Sequence, residues 1–115
     1  MLLLVANGAE DIETITVYDT LKRANAEVKI AKVSDPSNSG DKNSLSVKMM
    51  MGSEFVTHAH LEDIKEDDFN MVVLPGGTKG AKILAGSEEV KNLLKNFKKQ
   101  NKFIGAICAS PALVL

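Results

Sequence analysis

Cys108 is the only cysteine of the chain, and it stands where the sequence changes character. "FIGAIC" before it is a short apolar run of the kind that forms a buried strand. "ASPALVL" after it carries Ser110 and Pro111, residue types suited to the first turn of a helix. Composition alone makes a lone cysteine in apolar surroundings an inert core residue, because a free thiol packs as a small hydrophobe. Position adds a second reading. A strand-to-helix turn puts the side chain at the carboxyl edge of a sheet, where the positive end of the next helix favours thiolate. Ala106, Ala109 and Ser110 are small enough for a tight, strained turn of the nucleophile-elbow kind.

Two other stretches could serve such a thiolate. In "LPGGTKG" (74–80), Pro75 stops a strand, and Gly76 and Gly77 can bring backbone N–H groups close to a ligand without side-chain interference. The plain alternative is a flexible strand-to-helix turn. Neither GxxxxGK[ST] nor GxGxxG occurs, so a phosphate cradle is the poorer reading. In "NGAEDIET", Glu10 and Asp11 open a helix as acids that complement its dipole. Glu13 lies within the same first turn. By default it is a capping partner; beside a thiolate it could stay protonated and donate a hydrogen bond to sulfur. His58 and His60 in "THAH" have metal-like spacing, i and i+2 on one face of a strand, but no companion ligands in register. Met49–Met51 reads as hairpin core or an oligomer contact.

These residues need elements to hold them. "MLLLVA" is a continuous apolar run closed by Asn7-Gly8, as of a strand buried on both faces. A helix follows, with Ile12, Ile15, Leu21 and Ala24 recurring at helical intervals. "EVKIAKV" is a second strand and "SDPSNSGDKNS" a loop. "LSVKMMM" and "EFVTHA" around Gly52-Ser53 form a hairpin, and "HLEDIKEDD" is a short helical connector. "FNMVVLP" is a third buried strand. A helix then breaks near Gly86 and gives way to a longer one, opened by Ser87, Glu88 and Glu89 and striped by Val90, Leu93, Leu94 and Phe97. Apart from the hairpin, strands alternate with helices. That pattern predicts an α/β fold with a mainly parallel sheet covered on both faces, and sites beyond the carboxyl ends of its strands. The three chemically suggestive stretches all fall at such ends.

Composition narrows the class. A length of 115 residues predicts one domain, 1–115, and 44% hydrophobic residues can fill a core. A net charge of -1 with interspersed signs gives no one-signed patch for nucleic acid or a membrane surface. "KNFKKQNK" is interrupted by apolar residues at helical spacing and reads as a solvated helix face. One cysteine makes neither an internal disulfide nor a multi-cysteine metal site, which fits a reducing, cytoplasmic compartment. "MLLLVA" is too short for a signal-peptide core, and no run approaches a membrane span.

"GAEDIET", "VVLPGGTKGA" and "AICASPA", in this order, resemble the ThiJ/PfpI superfamily, in the branch of the parkinsonism-associated protein deglycase and glyoxalase III. "HLEDI" also resembles the segment before that family's central strand. The resemblance runs from Met1 to Leu115. It implies a flavodoxin-like three-layer sandwich, a homodimer, and Cys108 as a reactive cysteine at a strained elbow. It implies Glu13 as the protonated glutamate bonded to the sulfur, Gly77 and Ala109 as N–H donors of an oxyanion or sulfinate pocket, and Gly76 as the residue shaping that turn. Arg23 in "LKRAN" matches a helix arginine near the dimer interface and cysteine pocket. There are departures. The family's "CAGP" is "CASP" here, and a hairpin arginine of some relatives is replaced by Met49–Met51. Family members also continue past the point matching Leu115, supplying a histidine near the cysteine, further strands and closing helices. The resemblance therefore implies an N-terminal fragment, incomplete at its C-terminus, whose remainder could be a separate chain.

The activity implied is a glutathione-independent glyoxalase and protein deglycase, acting on a small dicarbonyl (methylglyoxal) or a glycated protein without metal or organic cofactor. An oxidative-stress sensor with chaperone activity would use the same cysteine. A cysteine peptidase or amidotransferase fits less well, because Ala109 follows Cys108 where those branches place a histidine. A binding module without catalysis is the bland alternative.

Overall fold

The computed structural model describes residues 1–38 and 40–115; Ser39, inside the loop expected at 34–44, lies outside them. Five parallel strands form the sheet: β1 (Leu2–Val5), β2 (Lys29–Lys32), β5 (Ala59–His60), β6 (Met71–Leu74) and β7 (Phe103–Ala106), in the order β5-β2-β1-β6-β7. The central strand explains its own composition. Side chains alternate across a strand, and both faces of β1 are covered. Leu2 and Leu4 join one core cluster and Leu3 and Val5 the other, all fully buried. The remaining strands, β3 (Ser46–Lys48) and β4 (Glu54–Val56), make the expected antiparallel hairpin, with Val47 opposite Phe55.

α1 (Asp11–Arg23) and the hairpin cover one face; α2 (Thr78–Gly86) and α3 (Glu88–Lys99) cover the other. This is the parallel sheet covered on both faces that the strand–helix alternation predicts and the flavodoxin-like sandwich that the resemblance implies, with the order β2-β1-β6-β7 at its heart. α3 follows its sequence signals closely. The Ser87 hydroxyl accepts the Val90 N–H at 3.3 Å, and Val90, Leu93, Leu94 and Phe97 are all buried.

α1 is rotated from the expected stripe. Thr14 is buried, and Val17, Tyr18 and Leu21 pack on the core, whereas Ile12 is 70% exposed, Ile15 is 42% exposed and Ala24 lies in solvent. Leu21 belongs to both sets and packs on the core as expected; the rest of each set recurs at helical intervals, so periodicity could not select between them. Thr14 can enter the core because its hydroxyl donates to the Glu10 carbonyl at 2.9 Å.

The "THAH" segment is not one continuous strand. β4 stops at Val56, and Thr57 and His58 carry the chain from the hairpin to the main sheet. Thr57 bonds the Leu45 carbonyl through N–H and hydroxyl, while His58 Nδ1 accepts the Ile30 N–H at 2.9 Å. The helical connector is two single 3₁₀ turns, Leu61–Asp63 and Glu66–Asp68.

Candidate active site

The sheet order puts three turns side by side. After β1 the chain moves outward through β2 and β5, then returns to β6 on the other side of β1 and continues to β7. The reversal lies between β1 and β6, and a crevice opens beyond the carboxyl ends of strands at such a point. The loop after β1, the Pro75–Gly77 turn after β6 and the Ile107–Ala109 turn after β7 meet there.

Their packing requires glycine. A Cβ on Gly80 would stand 2.7 Å from the Ala9 nitrogen, and Gly77 holds φ +87° against Gly8 and Glu10. A Cβ on Gly76 would stand 2.5 Å from both Cys108 Cβ and Glu13 Oε1. The missing side chain of Gly76 thus leaves the space in which the Glu13 carboxyl and the Cys108 Cβ come together.

Glu10 and Glu13 divide the work at the start of α1. Glu10 is the cap, its Oε2 accepting the Glu13 N–H at 3.0 Å. This frees the Glu13 carboxyl, whose Oε1 accepts the Gly76 N–H at 2.8 Å. Oε2 has no hydrogen-bond partner among the described residues, and no hydrogen bond joins Glu13 to the Cys108 sulfur.

Cys108 is exposed and adopts φ +60°, a left-handed conformation uncommon outside glycine, asparagine and aspartate. The helix after it, α4 (Ser110–Leu113), is a single turn. Among the described residues, the N–H groups of Gly77 and Ala109 donate to no protein acceptor. Ser110 is fully buried and its hydroxyl donates to the Pro75 carbonyl at 2.5 Å, lashing the elbow to the glycine turn. In sequence, Ser110 is only a small residue where the family's "CAGP" has glycine. The signal was a hydroxyl in place of glycine, with no partner visible within the same segment.

Arg23 is not brought to this site. It closes the far end of α1, and its Nε pairs with both Asp19 carboxylate oxygens at 3.0 Å, with the side chains 80% and 57% exposed. Asp11 does more than complement the dipole. It accepts the Met51 N–H at 2.8 Å and the Ser53 N–H at 3.3 Å, fastening the hairpin tip to α1. A hydrogen bond from the Ser53 side chain, with those main-chain bonds, outweighs desolvation and holds its carboxyl below the usual aspartate range. Around this tie, Ile12, Ile15, Met50 and Met51 are exposed, whereas Met49 is buried.

Among the described residues, no three His, Cys, Asp or Glu side chains gather as a metal site. His60 lines a separate cavity of about 200 Å³ with Lys32, Leu61 and Ser87, at the β2–β5 side of the same sheet edge. Neither Cys108 nor Glu13 reaches it.

Residues 1–115 match the DJ-1/PfpI family. The chain belongs to the DJ-1/PfpI family. Among curated relatives it is 39% identical to protein DJ-1 homolog B of Arabidopsis thaliana over 114 residues, 99% of this chain and 24% of that protein. It is 34% identical to the glutathione-independent glyoxalase DJR-1.2 of Caenorhabditis elegans over 115 residues, 100% of this chain and 56% of that protein. The oxidized DJ-1 of Toxoplasma gondii superposes with a TM-score of 0.87 at 36% identity, over 99% of this chain and 58% of that one. The chain thus spans between 24% and 58% of the length of these relatives. Among the described residues, no helix is long and apolar enough to cross a membrane.

Proposed function

We propose that this DJ-1/PfpI chain carries part of a cysteine-dependent, glutathione-independent glyoxalase and deglycase, a single cytoplasmic domain acting on methylglyoxal and its adducts. The observation that carries this reading is the placement of Cys108 Cβ and Glu13 Oε1 together in the space a Gly76 side chain would fill, with Cys108 at φ +60°. The glyoxalase name of the Caenorhabditis elegans relative supports it at the level of family.

In this scheme the Cys108 thiolate adds to the aldehyde carbon of methylglyoxal, and the new oxyanion takes a proton to give a hemithioacetal. Glu13, left as a carboxylate once its own proton has gone to that oxyanion, removes the proton from that carbon and returns it to the neighbouring carbonyl carbon, while the hemithioacetal hydroxyl proton moves to that carbonyl's oxygen. The first carbon is thereby oxidised to a thioester as the second is reduced to an alcohol. Water attacks the thioester, lactate leaves, and the thiolate is regenerated. The Gly77 and Ala109 N–H groups stabilise the developing oxygen charge. Oε1 is held by the Gly76 N–H, so Oε2 is the oxygen available to carry the proton.

Steady-state conversion of methylglyoxal to lactate by the full-length protein tests this. Cys108→Ala abolishes turnover, and Glu13→Gln lowers kcat at least a hundredfold if the acid moves a proton in the rate-limiting step. Wild-type rates in either variant rule the mechanism out.

The exposure of Cys108 favours a second reading, oxidation by peroxide to a sulfinate held by the same amides, as in a redox sensor with chaperone activity. Peptide mass spectrometry after mild peroxide supports it if two oxygens are gained at Cys108, and opposes it if oxidation stays on the methionines. The exposed apolar group Ile12, Ile15, Met50 and Met51 supports a homodimer.

A further inference from the structure

Ser110 is the one buried polar group of the elbow that the proposed reaction does not use. It is fully buried, its N–H donates to the Ile107 carbonyl at 3.2 Å, and its hydroxyl donates to the Pro75 carbonyl at 2.5 Å. The Pro75 carbonyl and the Gly76 N–H are the two ends of one planar peptide unit. At the other end of that unit the N–H donates to Glu13 Oε1 at 2.8 Å. Hydroxyl, peptide and carboxyl therefore form a single hydrogen-bonded chain, in which each bond polarises the next.

The peptide in the middle has little else to orient it. Proline contributes no N–H on its near side, Gly76 has no Cβ to steer its dihedrals, and Gly77 at φ +87° uses glycine's freedom directly. The other restraint nearby is on the next peptide, where the Gly76 carbonyl accepts the Glu10 N–H at 3.1 Å. Rotation of the Pro75–Gly76 plane would carry the N–H away from Glu13 and release its carboxyl from the Cys108 side of the glycine.

We propose that Ser110 is a positioning residue: its hydroxyl locks the Pro75–Gly76 peptide and, through the Gly76 N–H, aims the Glu13 carboxyl at Cys108. This rests on the reading that Cys108 and Glu13 react together. A purely structural hydroxyl would change stability and leave reactivity alone.

The test uses the full-length protein as wild type, Ser110→Ala and Ser110→Thr. Two quantities are measured: kcat and KM for methylglyoxal, and the second-order rate of Cys108 alkylation by iodoacetamide at neutral pH. Loosening a catalytic group by a fraction of an ångström predicts a fall in kcat of about tenfold for Ser110→Ala, with KM within about twofold. The alkylation rate changes in step, and Ser110→Thr, which keeps the hydroxyl, restores both. A folded Ser110→Ala protein with wild-type kcat and alkylation rate overturns the proposal, as does a folded Ser110→Thr protein as impaired as Ser110→Ala. Should Ser110→Ala melt below the assay temperature, Ser110→Gly removes the hydroxyl without added bulk and carries the same expectations. If wild type does not convert methylglyoxal, the glyoxalase reading fails, and the alkylation rates alone decide the role of Ser110.

Discussion

Gly76 has no side chain, and the candidate site depends on that. Because a Cβ there would stand 2.5 Å from both Cys108 Cβ and Glu13 Oε1, Gly76→Ala must push one of them aside. A displacement of that size predicts a loss of about a hundredfold in kcat/KM for methylglyoxal. Overpacking predicts a destabilisation of about 1–3 kcal/mol, measured by urea unfolding. A variant equal to wild type in both would show that the acid and the thiol do not need this gap. At this scale the sequence was uneven. Cys108 was visible because an apolar run ends in small residues beside a proline. Glu13 was visible only as an acid in a first turn, because nothing local says that Glu10 takes over the capping. The Ser110 bond was not legible, since its acceptor lies 35 residues away in a turn whose approach depends on the sheet order.

Among the elements, β2 holds the least expected group. Lys32 is fully buried, and its ammonium meets Asp41 Oδ1 at 2.8 Å and the carbonyls of Asp41, Ser44 and Ser46 within 2.9 Å. Asp41 also accepts the Asp35 N–H at 2.7 Å and the Asn7 amide at 3.1 Å. This network pins the loop between β2 and β3 to the sheet. "EVKIAKV" announced a strand, but alternation gave no hint that one lysine points inward, because the carbonyls that receive it come from an irregular loop. Burial pushes the Asp41 carboxyl up, but the bonds from Lys32, Asp35 and Asn7, with the Lys32 charge, outweigh it and leave the group below its ordinary value of 3.8. A carboxyl depressed by folding adds stability above the unfolded value and loses it as pH falls through the folded one. Unfolding free energy therefore declines on acidification below about pH 4, and less steeply in Asp41→Asn. At neutral pH that variant leaves a buried ammonium without its counter-charge, predicting a loss of about 3–5 kcal/mol by chemical denaturation. A loss under about 1 kcal/mol would place the pair with weak surface ion pairs. By contrast, Ser87→Ala removes only a helix cap, legible from "GSEEV", and costs about 1 kcal/mol with methylglyoxal turnover unchanged.

Taken whole, the molecule is a sheet whose order decides which turns become neighbours. The strand–helix alternation foretold the layers, and the three turns at strand ends foretold the rim. Which face of α1 meets the core was not foretold, because two apolar sets share its surface and the sheet selects the one led by Thr14. The other set remains outside as Ile12 and Ile15, joined by Met50 and Met51 through the Asp11 tie. If that patch is the contact of the proposed homodimer, Ile12→Glu with Met51→Glu sediments as a monomer at concentrations where wild type is dimeric. A monomeric wild type would refute the dimer. The central claim concerns the pair beside Gly76, and one measurement reaches it most directly. Full-length Glu13→Gln protein is mixed with methylglyoxal, quenched, and mapped by peptide mass spectrometry. With the proton transfer blocked after thiolate addition, the account predicts a mass increase of one methylglyoxal on the Cys108 peptide. Adducts confined to lysine and arginine side chains, with Cys108 unmodified, would contradict it.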